Sequence, residues 1–293
     1  MSDLPTLDGT YEVLVVGGGV AGLSAATFTA RASLDTVVVN AGEPILARNA
    51  HVENLPGFPA GVNPRLFLDM QRSGATRNGA DLRDGRVVRL IRAADADVET
   101  GPDARFVATV ERESPERGAV DEPADAADAA DAAGAAPDRY ALAAERVVAA
   151  SWSDASYLDP LDADTRNAGS KTYIEDDGDG RTTVDGLYAA GRLAERYHQA
   201  VVAAGDGART AITLIHDSEI PFYHDWVAPE GYFTDRGRDV PPGCEEISET
   251  ERRARERESM AAMREYFAEP HDSRQRTHPS LVDDELGRLP EDE

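Results

Sequence analysis

The chain has 293 residues and 41% hydrophobic content, enough for one large or two ordinary domains with a substantial core. Its 55 acids against 30 bases leave a net charge of −25, with Lys171 the one lysine; such a surface repels nucleic acid and anionic membranes. The lone Cys244 excludes an intramolecular disulfide, a C-x-x-C redox pair and a cysteine metal cluster. The acidic coat suits a salt-rich, halophilic cytoplasm, where screening suppresses self-repulsion; a positively charged partner is the alternative use for it.

Tyr11 to Val16 is a β-branched run, Gly17-Gly18-Gly19-Val20-Ala21-Gly22 turns sharply, Leu23 to Ala32 reads as helix and Thr36 to Val39 as a second strand. This is the context in which a G-x-G-x-x-G turn holds a dinucleotide pyrophosphate. Gly17 permits the turn, Gly19 lets the backbone approach the phosphates, and Gly22 lets helix and strand pack closely. The following helix N-terminus supplies N–H groups and a positive dipole end. The second strand ends in Asn40, where an acid would grip the ribose hydroxyls; Asn still accepts a hydrogen bond. Val13 to Ala30 is uncharged and long enough to imitate a membrane span, but its strand-turn-helix grammar assigns it to a water-soluble fold. The amino terminus has no basic region of the secretory type, and the expected location is the cytoplasm.

Next comes His51 to Pro59, an irregular loop fixed by two prolines and a glycine, and then a helix from Pro64 with Leu66, Phe67, Met70 and Ala75 as its apolar positions. Arg86 to Arg92, Arg105 to Glu111 and Tyr140 to Ala150 read as three antiparallel strands, and Asp121 to Asp138, built of Asp-Ala-Ala triplets, as a disordered loop between the last two. Ser151 to Ser170 is loop-like, with Trp152 and Tyr157 as packing anchors. Asp176 to Gly180 has the composition of a calcium loop without its ligand spacing and reads as a solvated turn, so no metal site is expected. Gly186 to Gly191 is a short buried strand, and Gln199 to Ile215 a helix in which Gly205 and Gly207 imply close backbone packing. Beyond Asp217 come the aromatic residues Phe222, Tyr223, Trp226, Tyr232 and Phe233, a Ser248–Glu251 capping box opening a charged helix to about Phe267, and a polar tail.

The Gly17–Gly22 turn, the Glu53-Asn54-Leu55-Pro56-Gly57-Phe58-Pro59 loop, and Gly186–Gly191 followed by Tyr197-His198-Gln199-Ala200 together resemble the bacterial-type thioredoxin reductases over Tyr11 to Asp217. The resemblance implies an α/β fold: a Rossmann-type FAD-binding domain, residues 1–217, with a parallel sheet and an antiparallel meander, followed by an extension, residues 218–293. It implies FAD as cofactor, held at the pyrophosphate by Gly17, Gly19, Val20, Ala21 and Gly22 and at the ribose by Asn40. Asn54 would approach the flavin, Gly191 and Arg192 would lie by the ribityl chain, and Gln199 and Ala200 would face the flavin pyrimidine.

Three departures stand out. Arg192 follows Ala-Ala-Gly where the family has an Asp that accepts from a ribityl hydroxyl, so Arg192→Asp is expected to tighten FAD retention. The interval Ser151–Arg181 is too short for the family's NADPH domain, and the redox cysteine pair is missing. The expected function is therefore an FAD-dependent oxidoreductase reduced by an external donor, a free nicotinamide or an electron-carrier protein; the alternative is a non-catalytic FAD- or adenine-nucleotide-binding module acting through a partner or dimer. His198 is a candidate proton relay or a structural histidine. The aromatic extension is either a strap or homodimer contact, or a lid with His224 as proton donor.

Overall fold

A computed structural model of the protein describes residues 4–112, 138–152, 155–169, 171–218, 220, 224–275, 279–281 and 287–288. Most of the Asp-Ala-Ala stretch, together with Phe222 and Tyr223, lies outside the described residues.

Strand β1 (Leu7–Val16) runs into the glycine turn, α1 (Val20–Arg31) returns, and β2 (Thr36–Asn40) pairs parallel with β1. Helix α2 (Pro64–Arg77) begins at the expected proline, with Asn63 Oδ1 accepting from the amides of Arg65 and Leu66. It leads to β3 (Asp81–Asp84), parallel to β2. That strand was not expected, because Asp-Leu-Arg-Asp has the charge of a turn; at a sheet edge such charge is tolerated and discourages further pairing.

The meander is present as β4 (Arg86–Arg92), β5 (Phe106–Glu111) and β6 (Arg139–Ala149), but it does not stand apart from the parallel sheet. Residues Arg139–Ala144 of β6 pair antiparallel with β5, while Val147–Ala149 pair parallel with β9 (Leu187–Ala189), and β1 runs parallel along the other edge. One seven-stranded sheet results, in the order β3-β2-β1-β6-β5-β4 with β9 on β6. A strand of 11 residues at about 3.3 Å per residue is long enough to serve two partners end to end.

Side chains alternate across β1 to feed two cores. Val13 and Val15 join Leu23, Ala26, Phe67 and Leu214 beneath α1, α2 and α3 (Ala200–His216). Leu14 and Val16 join Phe106, Leu142, Tyr157 and Leu161 on the opposite face. Tyr157 is thus the expected anchor, carried on a 3-10 turn over Ser156–Leu161. Trp152 is not an anchor: it remains 37% exposed beside the cleft described below. Part of that interval, read as loop-like, is instead strand: β7 (Thr165–Ala168) pairs antiparallel with β8 (Lys171–Ile174), which follows it.

Helices α1 and α3 cross in backbone contact. A Cβ on Gly207 would come within 2.0 Å of the Ala21 carbonyl oxygen, whereas one on Gly205 would meet nothing within 4 Å. The expectation of close packing therefore holds for Gly207 and fails for Gly205, which faces solvent.

The extension forms a two-stranded parallel sheet, β10 (Trp226–Pro229) with β11 (Cys244–Ile247), and α4 (Glu249–Tyr266). Trp226, Tyr232 and Phe233 stack edge to face at 4.6–5.5 Å. The extension is tied to the α/β body by a bidentate Arg31–Asp225 pair at 2.5 and 2.6 Å, by Phe267 against Phe58, and by His271 on Asp69 at 3.0 Å. Among the described residues no helix is long and apolar enough to cross a membrane.

Candidate functional site

The carboxyl ends of β1, β2 and β6 open into a cleft of about 460 Å³, lined by the glycine turn on one side and the start of α3 on the other. Its size falls in the ordinary range for small-molecule sites. Each motif glycine has a separate reason to be glycine. Gly17 sits at φ +114°, and a Cβ there would lie 2.6 Å from the Ala150 oxygen. At Gly22 a Cβ would strike the Gly17 oxygen at 1.9 Å, so α1 could not pack on its own turn. A Cβ on Gly19 would project into open space, the space a phosphate needs for close approach.

Asn40 has a structural duty that the strand-end pattern did not disclose. Its Oδ1 accepts from the Gly18 amide at 2.9 Å and its Nδ2 donates to the Gly42 oxygen at 2.7 Å. The residue that would grip a ribose therefore also clamps the glycine turn, and only an amide can give and accept in this way.

The far wall is built on a buried carboxylate. Asp206, 5% exposed in the second turn of α3, accepts from the Gly191 amide at 2.7 Å, from Arg196 Nε at 2.9 Å and from Arg209 Nη2 at 2.6 Å. Arg196 reaches on to Asp176 at 2.6 Å, and Asp176 also accepts from the Gly178 and Gly180 amides. The acidic run that resembled a calcium loop is thus spent on backbone N–H groups and an arginine. Asp206 and Arg196 carry the Ala-Ala-Gly corner, yet neither was singled out from the sequence. The available signal was an acid between two glycines inside an otherwise apolar helix, since such a group is buried only when paired.

Arg192 turns from that corner into the cleft wall. Its guanidinium lies 4.8 Å from the centre of the Tyr173 ring and donates to the Tyr173 hydroxyl and to the Arg196 carbonyl. His198 sits edge-on to Trp152 at 4.6 Å. Partial burial and the nearby Arg192 and Lys171 cations hold the His198 pKa below the ordinary imidazole value.

Gly17, Gly19, Val20, Ala21, Asn40, Arg192, His198, Gln199 and Ala200 all line the one cleft. Three predicted residues do not line it but shape it. Gly22 and Gly191 are packing positions, a Cβ on Gly191 meeting Ala21 Cβ at 2.7 Å, and Asn54 Nδ2 donates to Gln199 Oε1 at 2.5 Å, tying its loop to the start of α3. His224 is not brought to the cleft: its amide donates to the Pro242 oxygen in the β10–β11 unit. Glu43, Pro44–Leu46, Arg86 and Trp152 are also among the lining residues and were not anticipated there, because they come from loops and strand ends that carry no motif of their own.

The helix termini separate into two kinds. Helix α2 is capped by the Asn63 side chain and α4 by Ser248. Helices α1 and α3, which begin at the cleft, have no side-chain cap and no acid in the first turn, although the chain holds 55 acids. Two uncompensated positive ends thus face one cavity.

The fold and cleft define a Rossmann-type nucleotide-binding protein, and residues 12–51, which hold the glycine turn and Asn40, match the FAD binding domain family. FAD is the cofactor that this match indicates. The amino-terminal part is similar to the thioredoxin reductases, with 40% identity over 83 residues to that of Listeria innocua (28% of this chain, 26% of the relative). The thioredoxin reductase of Bacillus subtilis is 34% identical over 92 residues (28% of this chain, 29% of the relative). The chain thus aligns with between a quarter and a third of the length of these curated relatives. A solved oxidoreductase from Agrobacterium tumefaciens shares the fold, with a TM-score of 0.53 at 15% identity over 71% of this chain and 98% of that one.

Proposed function

We propose that the protein is an FAD-dependent oxidoreductase whose flavin is reduced by a donor from outside the chain. The observation that carries the reading is the pair of uncapped helix N-termini, α1 and α3, meeting at a cleft lined by Gly19 and Asn40 at one end and by Arg192, Gln199 and Ala200 at the other. A dinucleotide is long and anionic at its middle, which suits two positive termini on facing walls.

The turn from Gly17 to Gly22 would hold the pyrophosphate and Asn40 the ribose, while the start of α3 would face the flavin, where a positive helix end favours charge on the reduced ring. FAD supplies the hydride and electron chemistry when bound; the protein contributes orientation and charge. His198, whose partial burial and neighbouring cations disfavour the protonated ring, offers a nitrogen that can accept a proton at the cleft wall. An external donor is supported by the interval between β6 and β9, where the described residues make a 3-10 turn and a hairpin, and by a sequence with a single cysteine.

The test is to purify the protein at high salt, record its visible spectrum and add NADH or NADPH. A flavin spectrum bleached by a nicotinamide is the expected result. A colourless preparation that takes up no added FAD would overturn the assignment. A second reading, a non-catalytic nucleotide-binding module, is favoured by the Asn54–Gln199 bond, which fastens the loop and α3 together at the flavin end. A yellow protein that neither nicotinamides nor reduced carrier proteins can bleach would support that reading.

A further inference from the structure

Around the Ala-Ala-Gly corner, arginines are neutralised as a rule. Arg166 is paired with Glu195, Arg181 with Asp217, and Arg196 and Arg209 with Asp206. Arg192 breaks the rule. Among the described residues it has no carboxylate partner, and its buried Nε has no hydrogen-bond partner. Its support is neutral: the Tyr173 ring 4.8 Å away and the Tyr173 hydroxyl. A guanidinium held by an aromatic ring is fixed in place with its full charge still available.

The same end of the cleft gathers other features that favour an anion. Lys171, the one lysine of the chain, starts β8 two residues before Tyr173 and makes no ion pair among the described residues; it does not line the cleft but adds positive charge behind it. The first turn of α3 is uncapped and free of acids. Positive charge of this kind in a chain of net −25, with Glu43 the one acid lining the cleft among the described residues, draws anions toward the α3 end. Trp152, against His198, provides a flat apolar wall beside it.

On the flavin reading above, we propose that Arg192, beside Trp152 and His198 and with Lys171 outside the lining, forms an oxyanion subsite at the α3 end of the cleft. It takes the carboxylate or phosphate of the molecule that exchanges electrons with the flavin. The hairpin that carries Lys171 and Tyr173 then supports Arg192 from outside the cleft lining rather than serving only as a connecting loop.

The protein has two tryptophans, so Trp226→Phe leaves Trp152 as the reporter. The full chain reconstituted with FAD is titrated at constant ionic strength with inorganic phosphate and, separately, with malonate, while Trp152 emission is followed. A saturable change with at least one of them is expected, and the better probe identifies the group. A charge-assisted hydrogen bond contributes about 1.5–3 kcal/mol, so Arg192→Gln is expected to raise the midpoint roughly tenfold or more. Lys171→Gln should raise it less. Arg236→Gln, which removes another arginine lying over a tyrosine but outside the cleft, should leave it unchanged. Thermal stabilisation by the same anions, with and without Arg192→Gln in the chain that keeps Trp226, repeats the test independently of the reporter variant. The subsite is overturned by the absence of a saturable response, by equal midpoints in Arg192→Gln and its parent, or by a response confined to FAD-free protein, which would make Arg192 a ligand of the cofactor's own phosphates. The visible spectrum keeps the two questions apart. Flavin-loaded protein that ignores anions ends this inference alone, whereas failure to take up FAD ends the functional reading.

Discussion

The helices at the cleft and the helix of the extension hold themselves in place by opposite means. Helices α1 and α3 have few charges, cross at a glycine, and begin without caps, so their stability comes from burial against one another and the sheet. Helix α4 buries no residue, begins with the Ser248 cap and two acids, and is laced by pairs such as Arg252–Glu249, Arg253–Glu249 and Arg255–Glu251. A helix satisfied by its own side chains can lie on a surface. A helix whose first amides are left unpaired has its stability supplied elsewhere and its end available for a ligand.

The contrast is broken most severely by removing the charge that α3 buries. Asp206→Ala leaves the Gly191 amide without its acceptor and Arg196 with Asp176 as its remaining carboxylate, and breaking a buried pair of this kind costs about 3–5 kcal/mol; chemical denaturation measures it, and a loss well under 1 kcal/mol would mean that the corner does not depend on Asp206. The corresponding change on the surface helix, Glu249→Ala, removes exposed pairs with Arg252 and Arg253 and should cost only a small fraction of the Asp206→Ala loss in the same assay. Within α3 itself, Gly207→Ala forces the helix off α1 at an overpacking cost of about 1–3 kcal/mol. Gly205→Ala, two residues away in open space, should instead stabilise by up to about 1 kcal/mol from helix propensity. Equal effects at the two glycines would refute the backbone contact.

Smaller effects belong to the extension. Ser248→Ala removes the cap of α4, a loss of about 1 kcal/mol confined to that helix, visible as faster amide exchange in its first turn with little change in global unfolding. Glu246 is the acid whose titration should loosen the β10–β11 unit. Desolvation opposes its ionisation, but the amides of Phe233, Thr234 and Gly231 and the Thr234 hydroxyl outweigh it and lower its pKa to about 2. A depressed carboxylate stabilises above its unfolded value of about 4.3, and that contribution fades as pH falls from there through the folded value. Trp226 emission should therefore change between about pH 4.3 and 2 before the main sheet unfolds. Glu246→Gln should remove that early step, and its persistence would place the sensitive group elsewhere.

Local spacing determined a great deal here. The β-branched runs at Tyr11–Val16 and Thr36–Val39, the three glycines, Pro64 opening α2 and the Ser248 cap are short-range instructions, each acting through its own backbone geometry, and each element formed where the pattern put it. What the sequence could not display is pairing between distant segments. That β6 serves two strands at once, that Asp206 of α3 holds the Gly191 amide, that Asn40 clamps Gly18, and that Arg192 has no carboxylate partner among the described residues all depend on which groups meet across the fold. The sequence by itself set the main strands and helices of the α/β body and the glycine turn, but not the edge strand β3, the β7–β8 hairpin or the β10–β11 pair, because only the former are decided by hydrogen bonds and sterics within a few residues. Tertiary structure alone decided which charges are cancelled and which face the cleft, because the energy of a buried ion depends on partners that only packing brings within reach.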